Sequence, residues 1–187
     1  MLNLPAQRLI SSQEYQQMIA SGVFHEDEAI ELIEGMLIQM SPVGIRHSSM
    51  LNNLNILLLR QLLGKAIVSI QNPLSLDDGS EPEPDLMVLK LKDDCYASGH
   101  PRPEDVLLLI EVADSSLEYD SFIKARLYAR AQVEHYWLID VNQKSLKIHK
   151  QPSAQGYGNV VTLNQGRVEL WDGMALELEE MFRIFAS

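Results

Sequence analysis

The sequence predicts a mixed fold, α/β with α+β character: a central mixed β-sheet flanked by helices, preceded by an N-terminal helix and a hairpin. Three observations point there. From His47 to Leu63 the apolar residues Met50, Leu51, Leu54, Leu57, Leu58 and Leu62 recur at helical spacing, so one face of a long helix is apolar. Val106–Ala113 is an apolar run broken by a single acid, Glu111, which suits a strand buried on both faces. Helical and strand-like segments are interleaved along the chain, which selects a layered mixed architecture.

The elements follow in order. Ser11-Ser12-Gln13-Glu14 reads as a helix start, with a serine cap and an acid in the first turn, and the helix ends near Gly22. Ala29–Ile33 and Met36–Met40 flank Glu34-Gly35 and read as a hairpin. Ser41-Pro42 breaks the chain before the His47–Leu63 helix, which Gly64 closes, with Asn52, Asn53, Arg60 and Gln61 on its other side. Ala66–Leu76 reads as a strand kinked or held at a sheet edge by Pro73. Asp77-Asp78-Gly79 turns the chain, Asp85–Leu91 is a strand launched by Pro84, and Lys92–Pro103 is a loop. After Val106–Ala113, Asp120 is placed to cap a helix over Ser121–Ala131, with Phe122, Ile123 and Leu127 facing inward. His135–Val141 and Lys144–Lys150 read as strands, Asn159–Leu163 and Arg167–Trp171 as a hairpin, and Met174–Phe185 as a last helix.

The 187 residues suit one domain, 1–187, with a core of its own. There is one cysteine, Cys95, which excludes a disulfide framework or a cysteine-based zinc site and suits a cytoplasmic protein. Met1–Ile10 lacks the pattern of a signal peptide, and the apolar runs are too short to span a bilayer, so no membrane partner is expected. The formal net charge of −11 argues against a sequence-indifferent coat for nucleic acid, which needs basic surface. The charge is uneven: Glu26–Glu34 carries five acids and no base, whereas Ser121–Lys150 carries six bases against Glu134 and Asp140.

Glu111 is the most informative residue. A carboxylate inside a central strand costs several kcal/mol (roughly) unless a cation or donors compensate. A structural ion pair, or a strand-end glutamate reaching solvent, would also explain it. Asp85 opens a neighbouring strand, and if the two ends meet they offer hard oxygen ligands for Mg²⁺ or Mn²⁺. Lys124, early in the next helix, can bring an ammonium to the same place, where it would orient a water and offset phosphate charge. Arg126 and Arg130, four apart on one helix face, are candidates to hold phosphates or an ordinary exposed face.

Glu83-Pro84-Asp85-Leu86-Met87-Val88, Asp105 to Val112, Ser115-Ser116, Asp120, Lys124, Tyr128 and Tyr136-Trp137-Leu138-Ile139-Asp140 together resemble the Uma2 family. That family comprises restriction endonuclease-like, PD-(D/E)XK nucleases abundant in cyanobacteria. The helix around Tyr15, Glu31-Leu32-Ile33-Glu34-Gly35 and His47 resemble it too, so the likeness runs from about Ser11 to Lys150. It implies a restriction endonuclease-like core and a Mg²⁺ (or Mn²⁺) dependent nuclease site. Asp85 and Glu111 are then metal ligands, with Lys124 the catalytic lysine. Glu34 resembles an additional carboxylate ligand, and His47 a phosphate or water contact. The standard Glu-x-Lys motif puts the lysine at position 113, where this chain has Ala113; in Uma2-like proteins it has moved to the next helix. Gln132 stands where the family often has glycine, a residue suited to a left-handed helix end.

The expected activity is therefore metal-dependent endonuclease cleavage of DNA, with a homodimer expected by analogy with other nucleases of the fold. The first alternative is a catalytically inactive binding or regulatory module, which the net acidity and Ala113 favour. The second is a hydrolase of a smaller phosphoester, or a nuclease that needs a basic partner protein. Whether Lys124 reaches the Asp85–Glu111 pair separates hydrolysis from the inactive module.

Overall fold

The computed structural model describes residues 7–25, 28–170 and 173–185. Helix α1 (Ser12–Ala20) starts with a capping box in which Ser11 and Glu14 satisfy each other's backbone donors. The hairpin β1 (Ile30–Ile33) and β2 (Met36–Gln39) follows, then the long helix α2 (Ile45–Leu62). The central sheet contains β3 (Ile67–Ile70), β4 (Leu86–Leu89), β5 (Val106–Ala113), β6 (Tyr136–Asp140), β7 (Ser145–Ser153) and β8 (Gly156–Leu163), side by side in that order. Only the β5–β6 pair is parallel. A parallel pair needs a crossover, and here it is helical: α3 (Leu117–Tyr119), a π-helical turn over Asp120–Lys124, and α4 (Ala125–Arg130). The described chain ends with a hairpin of β9 (Arg167–Glu169) and β10 (Ala175–Glu177), helix α5 (Leu178–Phe182) and a 3₁₀ turn over Arg183–Phe185.

Period-two alternation along β5 explains the two layers. Leu108, Ile110 and Val112 face the α2 side, packing with Leu54, Leu58 and Leu62 and with Leu178 and Met181 of α5. Leu109 and Ala113 face the other side, with Ala125, Leu127 and Tyr128 of α4 and Ile33 of the hairpin. By the same parity Glu111 belongs to the α4 side. Helical periodicity likewise places His47 on the buried stripe of α2 with Met50, Leu51 and Leu54.

The mixed central sheet flanked by helices agrees with the sequence reading; several elements differ in detail. The Ala66–Leu76 segment pairs only over Ile67–Ile70, at the sheet edge, and Gln71 turns to positive φ before Pro73 is reached. The crossover helix begins at Leu117, so Asp120 lies inside it and accepts from Ser116 Oγ at 2.5 Å. The wide π turn directs Lys124 into the protein and leaves Phe122 and Ile123 exposed, while Leu127 is buried as expected. Strand β8 pairs with β7, and β9 pairs with β10; Trp171 lies outside the described residues. Asn53, assigned to the polar side of α2, is buried and donates to the Glu180 and Met181 carbonyls of α5. Gln132 adopts the left-handed conformation (φ 61°) that glycine would favour.

His149 on β7 is buried, stacked on Tyr136 at 4.8 Å between centroids. Burial pushes its pKa down to about 4. An unfolded histidine titrates near 6.5 (roughly), so between those values the unfolded chain binds the extra proton. The contribution is therefore complete above the unfolded pKa and is lost as pH falls toward 4. His149→Phe should remove on the order of 2 kcal/mol of the stability lost between about pH 7 and pH 4.5, measured by urea unfolding at both pH values.

Candidate active site

The β4–β5 register builds the centre. Leu86 pairs with Ile110, and one residue further the two strands bring Asp85 opposite Glu111. Two carboxylates directly across from each other repel unless they are compensated. The Asp85 N–H donates to Glu111 Oε2 at 3.2 Å, and the Val112 N–H donates to Asp85 Oδ2 at 2.8 Å. Glu31, buried in β1, is the third carboxylate; its Oε1 accepts the Glu83 N–H at 3.0 Å.

Two basic groups close the cluster. Lys124, only 2% exposed, places Nζ 2.9 Å from Glu31 Oε1 and 3.0 Å from Glu111 Oε1. His47 Nε2 lies 2.9 Å from Asp85 Oδ1. Tyr128 donates its hydroxyl to Glu111 Oε1 at 2.7 Å.

Proton affinities follow from this packing. Burial raises the Glu111 carboxyl well above the usual range, with Lys124 opposing it. Burial alone would lower Lys124, but Glu111, Glu31 and Asp120 outweigh it, so the ammonium is held firmly. Burial would likewise raise Asp85 and lower His47; their mutual hydrogen bond and charge reverse both, leaving Asp85 low and His47 high. Asp120 is pushed up to about 6 by burial, against the pull of Lys124.

The cluster opens into a cleft of about 830 Å³, bounded by the β1–β2 hairpin, the start of α2 and the crossover. Among the described residues seven acids line it (Glu28, Glu31, Glu83, Asp85, Glu111, Asp114 and Asp120), against the basic residues His47 and Lys124.

The structure thus brings together Asp85, Glu111, Lys124 and His47. Glu34 stands apart. It occupies the turn between β1 and β2 at φ 49°, its side chain pairs with Arg130, and it lines a separate cleft. A strand-to-turn step of three residues aims Glu34 away from the face that carries Glu31. Arg126 is exposed, and neither it nor Arg130 lines the cleft that holds Asp85. Glu31 joins the cluster although the sequence reading gives it no role. Its signal was the same as that of Glu111, an acid inside an otherwise apolar strand.

Hard carboxylates suit Mg²⁺ or Mn²⁺, and Glu31 Oε2 is buried with no hydrogen-bond partner. Among the described residues no three His, Cys, Asp or Glu side chains form a ready-made ligand shell. Mg²⁺ is commonly held by one or two carboxylates, with water and substrate phosphate supplying the rest, so the donor set fits. Removing the buried ammonium leaves carboxylates unpaired: Lys124→Ala should cost about 3–5 kcal/mol in urea unfolding, and combining it with Glu31→Gln should cost less than the sum of the two single changes.

Comparison with known proteins agrees with this architecture. A crystal structure from Anabaena variabilis ATCC 29413, described as "a putative nuclease belonging to DUF820", superposes with a TM-score of 0.72 at 14% identity, covering 93% of this chain and 98% of that one. At that identity the likeness speaks for the fold. No curated protein matches the chain. No helix among the described residues is long and apolar enough to cross a membrane. The model of the Uma2 family, described as "Putative restriction endonuclease", matches residues 12–179, nearly the whole length, and the chain belongs to that family.

Proposed function

We propose that this chain is a Mg²⁺ (or Mn²⁺) dependent endonuclease that hydrolyses DNA phosphodiester bonds at the Asp85–Glu111–Lys124 cluster. The observation that carries the reading is the buried ammonium of Lys124, 3.0 Å from Oε1 of Glu111, whose Oε2 accepts the Asp85 N–H. A lysine pointing to solvent would have favoured an inactive module. Family membership supports nuclease chemistry as a class.

Asp85 and Glu111 would hold the metal, with Glu31 in the position first expected for Glu34. A bound divalent cation supplies Lewis-acid stabilisation of phosphate charge and acidifies a water. Lys124 fixes the two glutamates and keeps a positive charge at the floor of the cleft, where negative charge grows during phosphoryl transfer. His47 holds Asp85 Oδ1 and lines the cleft, where its imidazole would contact phosphate or water. A cytoplasmic, single-domain protein acting as a homodimer belongs to the same proposal; the lone cysteine suits the reducing compartment.

The acidity of the cleft favours a second reading. With Arg126 and Arg130 elsewhere, a polyanion would find little positive charge before metal binds. A smaller phosphoester, or DNA delivered by a basic partner protein, meets less repulsion.

The test is cleavage of supercoiled and single-stranded DNA with Mg²⁺ or Mn²⁺, with and without EDTA. Native protein should cut only with metal, and Asp85→Asn and Glu111→Gln should each lower the rate by about 100-fold or more. Metal-independent cleavage, or variants as active as the native protein, would remove the site from the reaction. Turnover of a small phosphodiester without DNA cleavage would select the second reading.

A further inference from the structure

We propose that Tyr128 is a positioning residue for the metal centre: its hydroxyl and Lys124 together occupy Glu111 Oε1, reserving Oε2 for the cation. The inference rests on the metal-dependent reading above and assigns the two oxygens of one carboxylate to different tasks.

The geometry is specific at the level of atoms. Glu111 Oε1 receives two donors, Tyr128 Oη at 2.7 Å and Lys124 Nζ at 3.0 Å. Glu111 Oε2 accepts only the Asp85 N–H, at a longer 3.2 Å, and it is the oxygen turned toward Asp85. Lys124 and Tyr128 are four residues apart, hence on one helix face. Lys124 ends the π-helical turn and Tyr128 lies in α4, so the wide turn sets the rotation of both.

Tyr128 has little freedom to do anything else. Its side chain is fully buried, and its ring meets Tyr136 edge-on at 5.3 Å. Tyr136 is itself fixed, donating to the Asp120 carbonyl at 3.1 Å and stacking on His149. The Tyr128 hydroxyl therefore presents one proton at one place. A lysine ammonium has three donors and a flexible stem, so by itself it holds a carboxylate only loosely in rotation. The phenol adds the second fixed point that defines the carboxylate plane.

A buried tyrosine hydroxyl also needs an acceptor simply to be stable, and Glu111 would serve that purpose in a purely structural role. Metal affinity separates the two roles. Mn²⁺ binding to the full chain is measured by electron paramagnetic resonance for native protein, Tyr128→Phe and Tyr136→Phe, with urea unfolding of each. Tyr128→Phe keeps the ring, and Lys124 still satisfies Glu111 Oε1, so the fold is retained. Its Mn²⁺ dissociation constant should rise roughly 10-fold to 100-fold. Tyr136→Phe removes a buried hydroxyl from the same aromatic stack without touching Glu111, and its affinity should match native protein. Unchanged affinity in Tyr128→Phe, or equal losses in both variants, overturns the assignment while leaving the metal centre in place. Absence of Mn²⁺ binding to native protein overturns the metal centre and this inference with it.

Discussion

A buried ammonium between two buried carboxylates is the interaction on which the rest of this structure depends. Glu31 comes from the hairpin, Glu111 from the middle of the sheet and Lys124 from the crossover, three parts of the chain that also share the apolar layer of Ile33, Leu109 and Leu127. Each carboxylate alone would be unaffordable in that environment. Together with Lys124 they form a set in which every member is needed by the others. That mutual dependence docks the hairpin onto the sheet and fixes the rotation of the crossover helix.

The same constraint explains why the site sits where it does. Antiparallel pairing sets Asp85 against Glu111, an arrangement that repels by itself. His47 relieves it from the α2 side and Lys124 from the α4 side, so the carboxylate pair joins the two layers of the molecule. The balance is incomplete, since the cleft keeps more acids than bases. Burial raises the proton affinity of Glu111, Lys124 opposes it, and the neighbouring acids add to it.

On the function proposed above, Ala113 and Lys124 redistribute a catalytic pattern without changing its location. Position 113 has the same strand parity as Glu111 and faces the α4 side, so a lysine there and one on the crossover would serve the same side of the sheet. Ala113 is small and buried, and the ammonium arrives instead from the π-helical turn. An acid in an apolar strand is legible in a sequence because its desolvation penalty demands an explanation. A lysine on a helix is less legible, because most such lysines are solvated; its place just after the Glu111 strand made Lys124 a candidate, and the family resemblance added weight. Glu31 and Glu34 make the complementary point. Both lie in one short acidic stretch, and the assignment went to the turn residue, although strand parity sends the two side chains to different clefts.

The sequence by itself determined the mixed layered class, the long amphipathic helix, the central strand and the acid within it, because period and burial penalty are local properties of a chain. Only the tertiary structure decided which carboxylates meet. That depends on strand register, on a π-helical turn that rotates Lys124 inward and leaves Phe122 and Ile123 exposed, and on Tyr128 reaching Glu111 from the following turn. These outcomes are set by close packing and by charge compensation among residues as far apart in sequence as Glu31 and Lys124. No window short enough to carry a period contains both.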